Sequence, residues 1–378
     1  MVQIKEVKTK KDKKIFASYP LRLYKDCPYY VPNLLSDELN ILNPKRNSYL
    51  GGNEFKAFLA YKDGKVVGRI AGLILRKDNE LTGKSRIRFS RFECIDDIEV
   101  FKALLGAVAK FGAEYGMDVI HGPWGFNDTD REGMLTYGFD LRSTYATNYY
   151  YPYFAENMRK LGFEDGSKWV EMNFPIPKEP YDRVVRVAGK LKDRLKLKEL
   201  AGTMSVKEIL EKYEDEFFNT MNEAYSSLDG YIPIVGKARK TMLKQFATIV
   251  NTRYLSVLVD ENDKVAAFGI CLPSICTAVQ KSKGRLFPFG FIKVLKSIKK
   301  PKELEMGLIG VRSEYKNSGI NSIIITRIMN NIIEDGVQKI ESNLMLEHNH
   351  SILNQWKFAE NDIVKKRQTF IKNISELI

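Results

Sequence analysis

The sequence predicts two similar mixed α/β domains in tandem, and three observations lead to this fold class. The chain has 378 residues, and roughly 150 residues per domain suggests two domains. A hydrophobic fraction of 44% and an aromatic fraction of 11% favour domains with their own cores over a disordered chain. The elements predicted for the first half also return in the same order in the second half.

In the first half, residues 55–75 predict a β-hairpin, because Asp63-Gly64 lies between two β-prone apolar runs. Residues 86–95 alternate between polar and apolar in the manner of a strand, and residues 98–115 place apolar side chains on one helical face. Three further elements are predicted to complete this half: a short strand at 118–126, a tyrosine-rich helix at 149–164 and a strand at 168–176.

Residues 178–203 connect the two predicted domains, which span residues 1–177 and 204–378. The connecting segment carries basic and acidic side chains around a stripe of Val and Leu, which predicts a basic amphipathic helix. We expect a solvated linker helix. The alternative is a helix that lies on a membrane or on an acidic partner.

The second half begins with two predicted helices and then repeats the order of the first half. Its hairpin is predicted around a turn at 260–263, and Ile320, Ile324, Ile328 and Ile332 form the apolar stripe of the later helix. Five elements are predicted after the two helices: a hairpin at 253–273, a strand at 304–311, a helix from 320, a strand at 339–346 and a helix at 350–360.

The charge and the cysteine content limit the classes of function. Sixty basic and 47 acidic residues give a net charge of +13, which attracts nucleic acid, anionic lipid or a phosphorylated cofactor. The chain lacks the interleaved aromatic and basic motif of a nucleic-acid-binding module, which argues against nucleic acid. No apolar run approaches the ~18 residues of a membrane span. Four scattered cysteines and three histidines provide no recognisable zinc set, so we expect a reduced, cytoplasmic protein without a metal.

The segment at 307–332 carries the most chemical information. A strand ends at Val311, and a short loop with Lys316 and Gly319 leads directly into an apolar-faced helix. This arrangement directs unpaired backbone N–H groups and the positive end of the helix dipole at the loop. The pattern is consistent with a phosphate-binding loop and also with a common structural turn.

The loop resembles the pyrophosphate-binding motif of the GNAT superfamily of acyl-CoA-dependent N-acyltransferases. The resemblance rests on the strand-end Val311, on Tyr315 before the basic Lys316, and on Gly319. Two positions depart from the motif, since Lys316 replaces Arg or Gln and Asn321 holds the place of Gly or Ala. The resemblance covers nearly the whole chain as two tandem domains, and it implies a mixed-sheet α/β fold with two GNAT-like domains.

In the first half, the place of this loop is taken by residues 91–106. Asp96, Asp97 and Glu99 there would repel a pyrophosphate, and Asp96 with Glu99 predicts a capping box for the following helix. The resemblance therefore implies a degenerate first domain and a single acyl-CoA site in the second domain.

The resemblance also implies roles for particular residues. Glu305, on the strand before the loop, matches a common position of the general base, and a solvent-facing carboxylate is the alternative. The family's proton-donating Tyr is replaced by Trp356, so the acid is unassigned, with His348 and Tyr315 as substitutes. The residues expected to bind acetyl-CoA or another acyl-CoA are Gly310, Val311, Lys316, Asn317, Ser318, Gly319, Ile320, Asn321 and Asn349.

The segment at 284–300 is unusually apolar and is followed by lysines. Three interpretations remain open: it lines an acyl or lipid-like substrate channel, it touches a membrane surface, or it packs against the first domain. We expect packing against the first domain.

These patterns together predict an N-acyltransferase that moves an acyl group, acetyl by default, from acyl-CoA to an amine of an unidentified acceptor. A long-chain acyl donor stays open as an alternative, given the aromatic residues around 149–154 and 286–292. The alternative function is a non-catalytic protein that binds acyl-CoA or a lipid.

Overall fold

The computed structural model describes residues 1–127, 130–228, 230–357, 359 and 361–378, without the side chain of Gln245. Over these residues the chain forms one mixed β-sheet of 14 strands together with twelve α-helices. One group of buried side chains packs α4 onto the strands of the first half, and another packs α6 and α11 onto those of the second half. The described residues include no helix that is long and apolar enough to cross a membrane.

The elements of the first half follow the predicted order, with a short strand and two helices before the hairpin. The turn between β2 and β3 has φ of 51° at Asp63 and 71° at Gly64, the left-handed pair that a type I′ turn requires. The first-half elements are β1 (Gln3–Glu6), α1 (Lys10–Leu23), α2 (Leu35–Ile41), β2 (Glu54–Lys62), β3 (Lys65–Ile74), α3 (Arg76–Thr82), β4 (Arg86–Cys94), α4 (Ile98–Ala113), β5 (Val119–Gly122), β6 (Met134–Tyr137), α5 (Pro152–Lys160) and β7 (Glu164–Phe174).

The second half also contains its predicted hairpin, strand and helix in order. Its elements are α6 (Asp182–Arg194), β8 (Lys198–Glu199), α7 (Val206–Tyr225), α8 (Lys237–Ile249), β9 (Leu255–Val259), β10 (Val265–Pro273), α9 (Cys276–Ser282), α10 (Gly290–Lys299), β11 (Glu303–Val311), α11 (Asn321–Glu334), β12 (Lys339–Glu341), β13 (Met345–Leu346), α12 (His350–Asn354) and β14 (Asp362–Asn373).

The two halves share a detailed irregularity, which supports the predicted duplication. In β4, Arg91 and Phe92 lie opposite the single residue Ile70 of β3. In β11, Gly307 and Leu308 lie opposite the single residue Ile270 of β10. A β-bulge of this kind bends the strand and leaves part of the ladder unpaired, and here it occurs at the same place in both halves.

The halves exchange their last strands. The main sheet has the order β1-β2-β3-β4-β5-β14-β7-β12-β11-β10-β9-β8, so β14, from the end of the chain, pairs with β5. Conversely β7, from the first half, pairs with β12. The predicted boundaries at 177 and 204 stay a prediction of where the chain divides, because the sheet runs through both halves.

Four predicted elements differ from the structure. The predicted helix at 149–164 begins only at Pro152, because the preceding tyrosines pack as extended chain. The predicted strand at 339–346 is broken into β12 and β13. The N-cap of α4 is Asp97, which accepts a hydrogen bond from the Glu99 N–H, and the predicted capping box from Asp96 is wrong. The predicted helix at 350–360 ends at Asn354; its residues 358 and 360 lie outside the described residues.

The helix of the predicted linker is α6, and it is not a solvated connector. Ala188 and Leu191 are buried in the second-half core. Leu191 and Val187 also lie against Gly319, because a Cβ built on that glycine would come within 3.1 Å of Leu191 Cδ1. The helix therefore covers the loop that precedes α11, which corrects the expectation of a solvated helix.

Buried ion pairs connect the exchanged strands β7 and β14. Arg367 and Lys365 of β14 and Glu171 of β7 are each at most 1% exposed, and both cations pair with Glu171. Lys365 also pairs with Glu341 of β12. Burial would raise the pKa of Glu171, but Arg367 and Lys365 outweigh it, so the pKa is lowered and the carboxylate stays ionised.

We expect Arg367→Met to lower the free energy of unfolding by about 3–5 kcal/mol, because it leaves a buried charge without its main partner. Urea denaturation followed by circular dichroism measures the change. Lys366→Met is the matched control. Lys366 is the exposed neighbour of Arg367 on β14, so its replacement should change stability by no more than about 0.5 kcal/mol. Equal stability of the two variants would contradict the assigned role of the buried pair.

Candidate functional site

The centre of the sheet opens where two parallel strands diverge. Strands β11 and β12 pair only over Glu303–Glu305, with Glu305 opposite Glu341. Beyond Glu305, β11 continues to Val311, while the chain after β12 pairs with β7. Residues Met306–Ile309 and Val311 therefore line an open cleft.

The loop between β11 and α11 ends this cleft with several unused backbone donors. Within the described residues, the N–H groups of Asn317, Gly319 and Asn321 donate to no other group. Gly319 has φ of +88° and Asn317 has φ of 62°, so the loop turns twice through the left-handed region. Helix α11 has no side-chain N-cap. Its first turn therefore presents free donors and the positive end of its dipole to an anion.

Most of the predicted cofactor-binding residues line one cavity. Those that line it are Val311, Lys316, Asn317, Gly319, Ile320, Asn321 and Asn349. The side chain of Asn349 also caps α12, since its Oδ1 accepts from the Ile352 N–H at 3.3 Å. These contacts are consistent with the predicted roles, which stay predictions.

Two of the predicted residues lie outside the cavity lining. Gly310 packs on β10, where a Cβ would come within 2.5 Å of the Phe268 ring. The Ser318 hydroxyl donates to the Tyr315 carbonyl at 2.7 Å and accepts from the Ile320 N–H at 3.2 Å. We therefore assign to the Ser318 side chain the shaping of the loop.

The cavity also contains buried polar atoms without a partner among the described residues. Asn321 Nδ2 donates to Gln355 Oε1 at 2.9 Å, which leaves Asn321 Oδ1 and Gln355 Nε2 unpaired. Asn343 Oδ1, between β12 and β13, is unpaired as well. Buried polar atoms are rarely left without partners, so these three atoms are suited to hydrogen bonds with a bound molecule.

Glu305 lies at the point where β11 and β12 separate. Its carboxylate is 6% exposed and lines the cavity. It accepts hydrogen bonds from the Tyr145 N–H at 3.0 Å, from the Ser274 hydroxyl at 2.8 Å and from the Cys276 thiol at 3.1 Å. Burial is the main reason that its pKa is raised above the ordinary 4.5, and these three donors only partly oppose the rise. A buried carboxylate with a raised pKa beside a cavity fits a general base.

The predicted acids differ in their positions. His348 is exposed and is not among the cavity-lining residues, so the structure does not bring it to Glu305. Trp356 lines the cavity and packs on Phe174 with ring centroids 5.1 Å apart. Tyr315 lines the cavity too, and its hydroxyl donates to Asp260 Oδ2 at 3.4 Å. The role of His348 as an acid stays a prediction without structural support.

Sequence reasoning missed Tyr225, at the C-terminal end of α7. Its hydroxyl accepts a hydrogen bond from the Ile309 N–H at 3.2 Å, beside the bulge of β11, and the residue lines the cavity. Because Tyr225 is 84 residues from Ile309 in the sequence, no local pattern connects them. Asn343 was missed for a different reason, because the predicted strand at 339–346 runs through it without a break.

The matching place in the first half is closed to an anion. Asp97 caps α4 and forms an ion pair with Lys62 at 2.6 Å, and Asp96 accepts from Asn157 at 2.9 Å. None of these residues lines the cavity of the second half. Asp97 thus stabilises the start of α4, whereas Asp96 bonds to Asn157 of α5.

Both halves contribute to the walls of the cavity, which has a volume of about 1780 Å³. Typical small-molecule pockets have about 300–1,000 Å³. Apolar walls come from α8, α10 and β11, and polar side chains of the first half, including Arg91 and Arg131, face the same space. The cavity is large enough for a molecule well beyond the size of a typical small ligand.

Two curated proteins are similar to this chain over most of its length. The chain is 26% identical to Protein YghO of Escherichia coli over 97% of this chain and 94% of the relative. It is 24% identical to the bacterial ceramide synthase of Caulobacter vibrioides over 82% of this chain and 81% of the relative. No family model matches the chain.

Solved structures match over nearly the whole length. A tandem GNAT protein from the clavulanic acid biosynthesis pathway has a TM-score of 0.58 at 10% identity and covers 99% of both chains. A GCN5-related N-acetyltransferase from Sphaerobacter thermophilus has a TM-score of 0.52 at 8% identity, over 99% of this chain and 96% of the other. These matches confirm the predicted fold class of two tandem GNAT-like domains.

Proposed function

We propose that this chain, whose fold is that of the tandem GNAT proteins, is an acyl-CoA-dependent N-acyltransferase that joins a long acyl chain to the amine of a lipid-like acceptor. The observation that carries the proposal is the position of Glu305. This buried carboxylate with a raised pKa lies where β11 and β12 diverge, in the cavity that also contains the anion-binding loop.

The loop residues account for binding of the donor. The free N–H groups of Asn317, Gly319 and Asn321 and the cation of Lys316 suit the pyrophosphate of CoA. The unpaired edge of β11 between Met306 and Val311 offers backbone groups to the amides of the pantetheine arm. The thioester would then lie near the bulge of β11, on the side of Glu305.

Glu305 and Tyr225 divide the proton transfers between them. Glu305 takes a proton from the attacking amine, whose nitrogen forms the new bond to the thioester carbonyl carbon. The carbon–sulfur bond breaks, and the Tyr225 hydroxyl, held at the bulge, gives a proton to the departing thiolate. The products are an amide and free CoA.

Two observations support a long acyl chain and a lipid-like amine. The cavity of about 1780 Å³ has apolar walls from α8, α10 and β11 and exceeds what an acetyl group needs. One of the relatives is named a ceramide synthase, and a ceramide is an amide of a long-chain amine and a fatty acid. Both point to an acceptor with its amine near Glu305 and its chain along the apolar walls.

A matrix of donors and acceptors tests the proposal. Acetyl-, octanoyl- and palmitoyl-CoA are each incubated with sphinganine, a polyamine and a short peptide, and thiol release and amide mass are measured. We expect palmitoyl-CoA with sphinganine to give the most amide. Turnover of acetyl-CoA alone would overturn the long-chain assignment. Binding in native mass spectrometry without turnover of any pair would favour the non-catalytic acyl-CoA or lipid-binding alternative.

Tyr225→Phe is expected to lower kcat by about tenfold. The loss should lie below the 10²–10⁴-fold typical of acid–base groups, because a thiol with a pKa near ~8.5 leaves readily as thiolate. The matched control is Tyr231→Phe, since the Tyr231 ring packs at a tilt beside that of Tyr225 while its hydroxyl donates to Asn222. Equal kcat in the wild type and the Tyr225→Phe variant would remove Tyr225 from the proton transfer.

A further inference from the structure

We infer that residues 284–300, which we name the apolar arm, dock this protein on the surface of an anionic lipid bilayer. The arm consists of α10, the six residues before it and Lys300 after it. The docking itself does not depend on the reaction. Only its use in loading a lipid substrate rests on the proposed function.

Large apolar side chains of the arm face solvent. Phe287 is 79% exposed, Phe289 is 69% exposed and Ile292 is 52% exposed, while Phe291 and Leu295 extend the same surface. The arm is nevertheless anchored, because Val294 and Ile298 pack on a cluster of Val31, Ile275, Cys276 and Val279. The expected packing against the first domain is thus correct for the inner face alone.

The charges around the apolar arm indicate which kind of surface it binds. Between Ser274 and Lys302 the chain has no acidic residue and eight basic ones: Lys281, Lys283, Arg285, Lys293, Lys296, Lys299, Lys300 and Lys302. All eight are exposed. Apolar and aromatic side chains beside a cluster of exposed cations are the combination that interfacial segments use on anionic membranes.

The same charges argue against a second copy of this chain as the occupant. In a symmetric dimer each arm would face its own copy, which would place these eight cations against eight identical ones. An anionic bilayer satisfies both the apolar and the cationic groups.

The arm also borders the cavity. Leu286, Phe291, Val294, Leu295 and Ile298 are among its lining residues, so one face of α10 is exposed to the cavity while Phe287 and Phe289 point away from the body of the protein. A bilayer in contact with the arm would lie beside the cavity mouth. A lipid substrate would then enter the cavity without crossing water.

Vesicle binding of the full chain tests the docking. Sedimentation with vesicles of phosphatidylcholine containing phosphatidylglycerol is compared with sedimentation with vesicles of phosphatidylcholine alone, at low and high salt. We expect binding to the anionic vesicles, with a marked loss at high salt. Failure to bind anionic vesicles, or equal binding to both kinds, would overturn the proposal.

Three variants locate the binding surface. Phe287→Ser with Phe289→Ser should weaken vesicle binding at least tenfold, and Lys293→Glu with Lys296→Glu should weaken it by at least about fivefold for each lysine removed. Leu81→Ser with Tyr137→Ser is the matched control, because these apolar side chains are 55% and 56% exposed elsewhere. The control should bind as the wild type does.

The remaining outcomes also decide the question. All these positions are exposed, so unchanged circular dichroism should show that the variants fold. Undiminished vesicle binding of either arm variant, or an equal loss in the control, would overturn the proposal. A dimer in light scattering that the Phe287→Ser, Phe289→Ser variant dissociates would identify a second copy as the occupant and overturn it as well. The docking is independent of the reaction, so a protein that forms no amide in the assay should still bind anionic vesicles.

Discussion

Gly319→Glu is expected to abolish CoA binding, and calorimetry with the wild type should show one site per chain. A Cβ at this position would meet Leu191 at 3.1 Å, and the φ of +88° disfavours any side chain. The new carboxylate would also lie in the loop whose free N–H groups suit a pyrophosphate. A pyrophosphate carries about two negative charges, and the carboxylate would oppose its binding by roughly 1 kcal/mol or more. We expect an affinity loss beyond the range of the titration.

Gly336→Glu is the matched control for backbone strain. Gly336 lies after the other end of α11 with φ of +65°, and a Cβ there would meet nothing within 4 Å. Gly336→Glu should lower the free energy of unfolding without changing the affinity for CoA. Asp97→Ala should likewise leave binding unchanged, because Asp97 caps α4 in the half that lacks the loop. A stoichiometry near two, or full affinity of Gly319→Glu, would contradict the single site.

Glu305→Gln should lower kcat by about 10²–10⁴-fold, the usual cost of a lost general base, while CoA affinity stays the same. The amide keeps the shape of the side chain and one acceptor oxygen for the Tyr145 N–H and the Ser274 hydroxyl. It cannot accept a proton from the amine. Steady-state kinetics with the best pair from the substrate matrix, together with calorimetry, separates the two effects.

The pH profile of the wild type provides a second readout for Glu305. A base must be ionised to act, and burial raises the pKa of Glu305 above 4.5, so activity should fall as the pH drops through that raised pKa. The acidic limb should disappear from the residual activity of Glu305→Gln. Glu303→Gln is the control, since Glu303 lies on the same strand, pairs with Arg142 and is not among the cavity-lining residues. An unchanged profile in Glu305→Gln would exclude the carboxylate as the base.

Sequence patterns anticipated the parts of the site whose chemistry is local. The Asp63-Gly64 turn, the apolar stripe of α11 and the loop around Gly319 each depend on residues that are neighbours in the chain. The resemblance to the GNAT superfamily also pointed to Glu305, through its place on the strand before the loop. Its three hydrogen-bond donors come from other elements, and no spacing predicts them.

The parts that were missed depend on distant partners. Strand β14 was not predicted. Its polar side chains Lys365, Arg367 and Gln368 do not follow the apolar pattern of a buried strand, yet all three are buried. Their burial is compensated by acids such as Glu171, 196 residues away from Arg367. The exchange of β7 and β14 is also a matter of distant partners, since β14 pairs with β5 and β7 pairs with β12.

The exchanged strands also bear on how the chain is synthesised. The sheet of the first half needs β14, and His121 bonds to Thr369 across 248 positions. The first half therefore cannot complete its sheet before β14 has been synthesised. Contacts of such long range also slow folding. Loss of β14 would open the middle of the sheet rather than trim its edge.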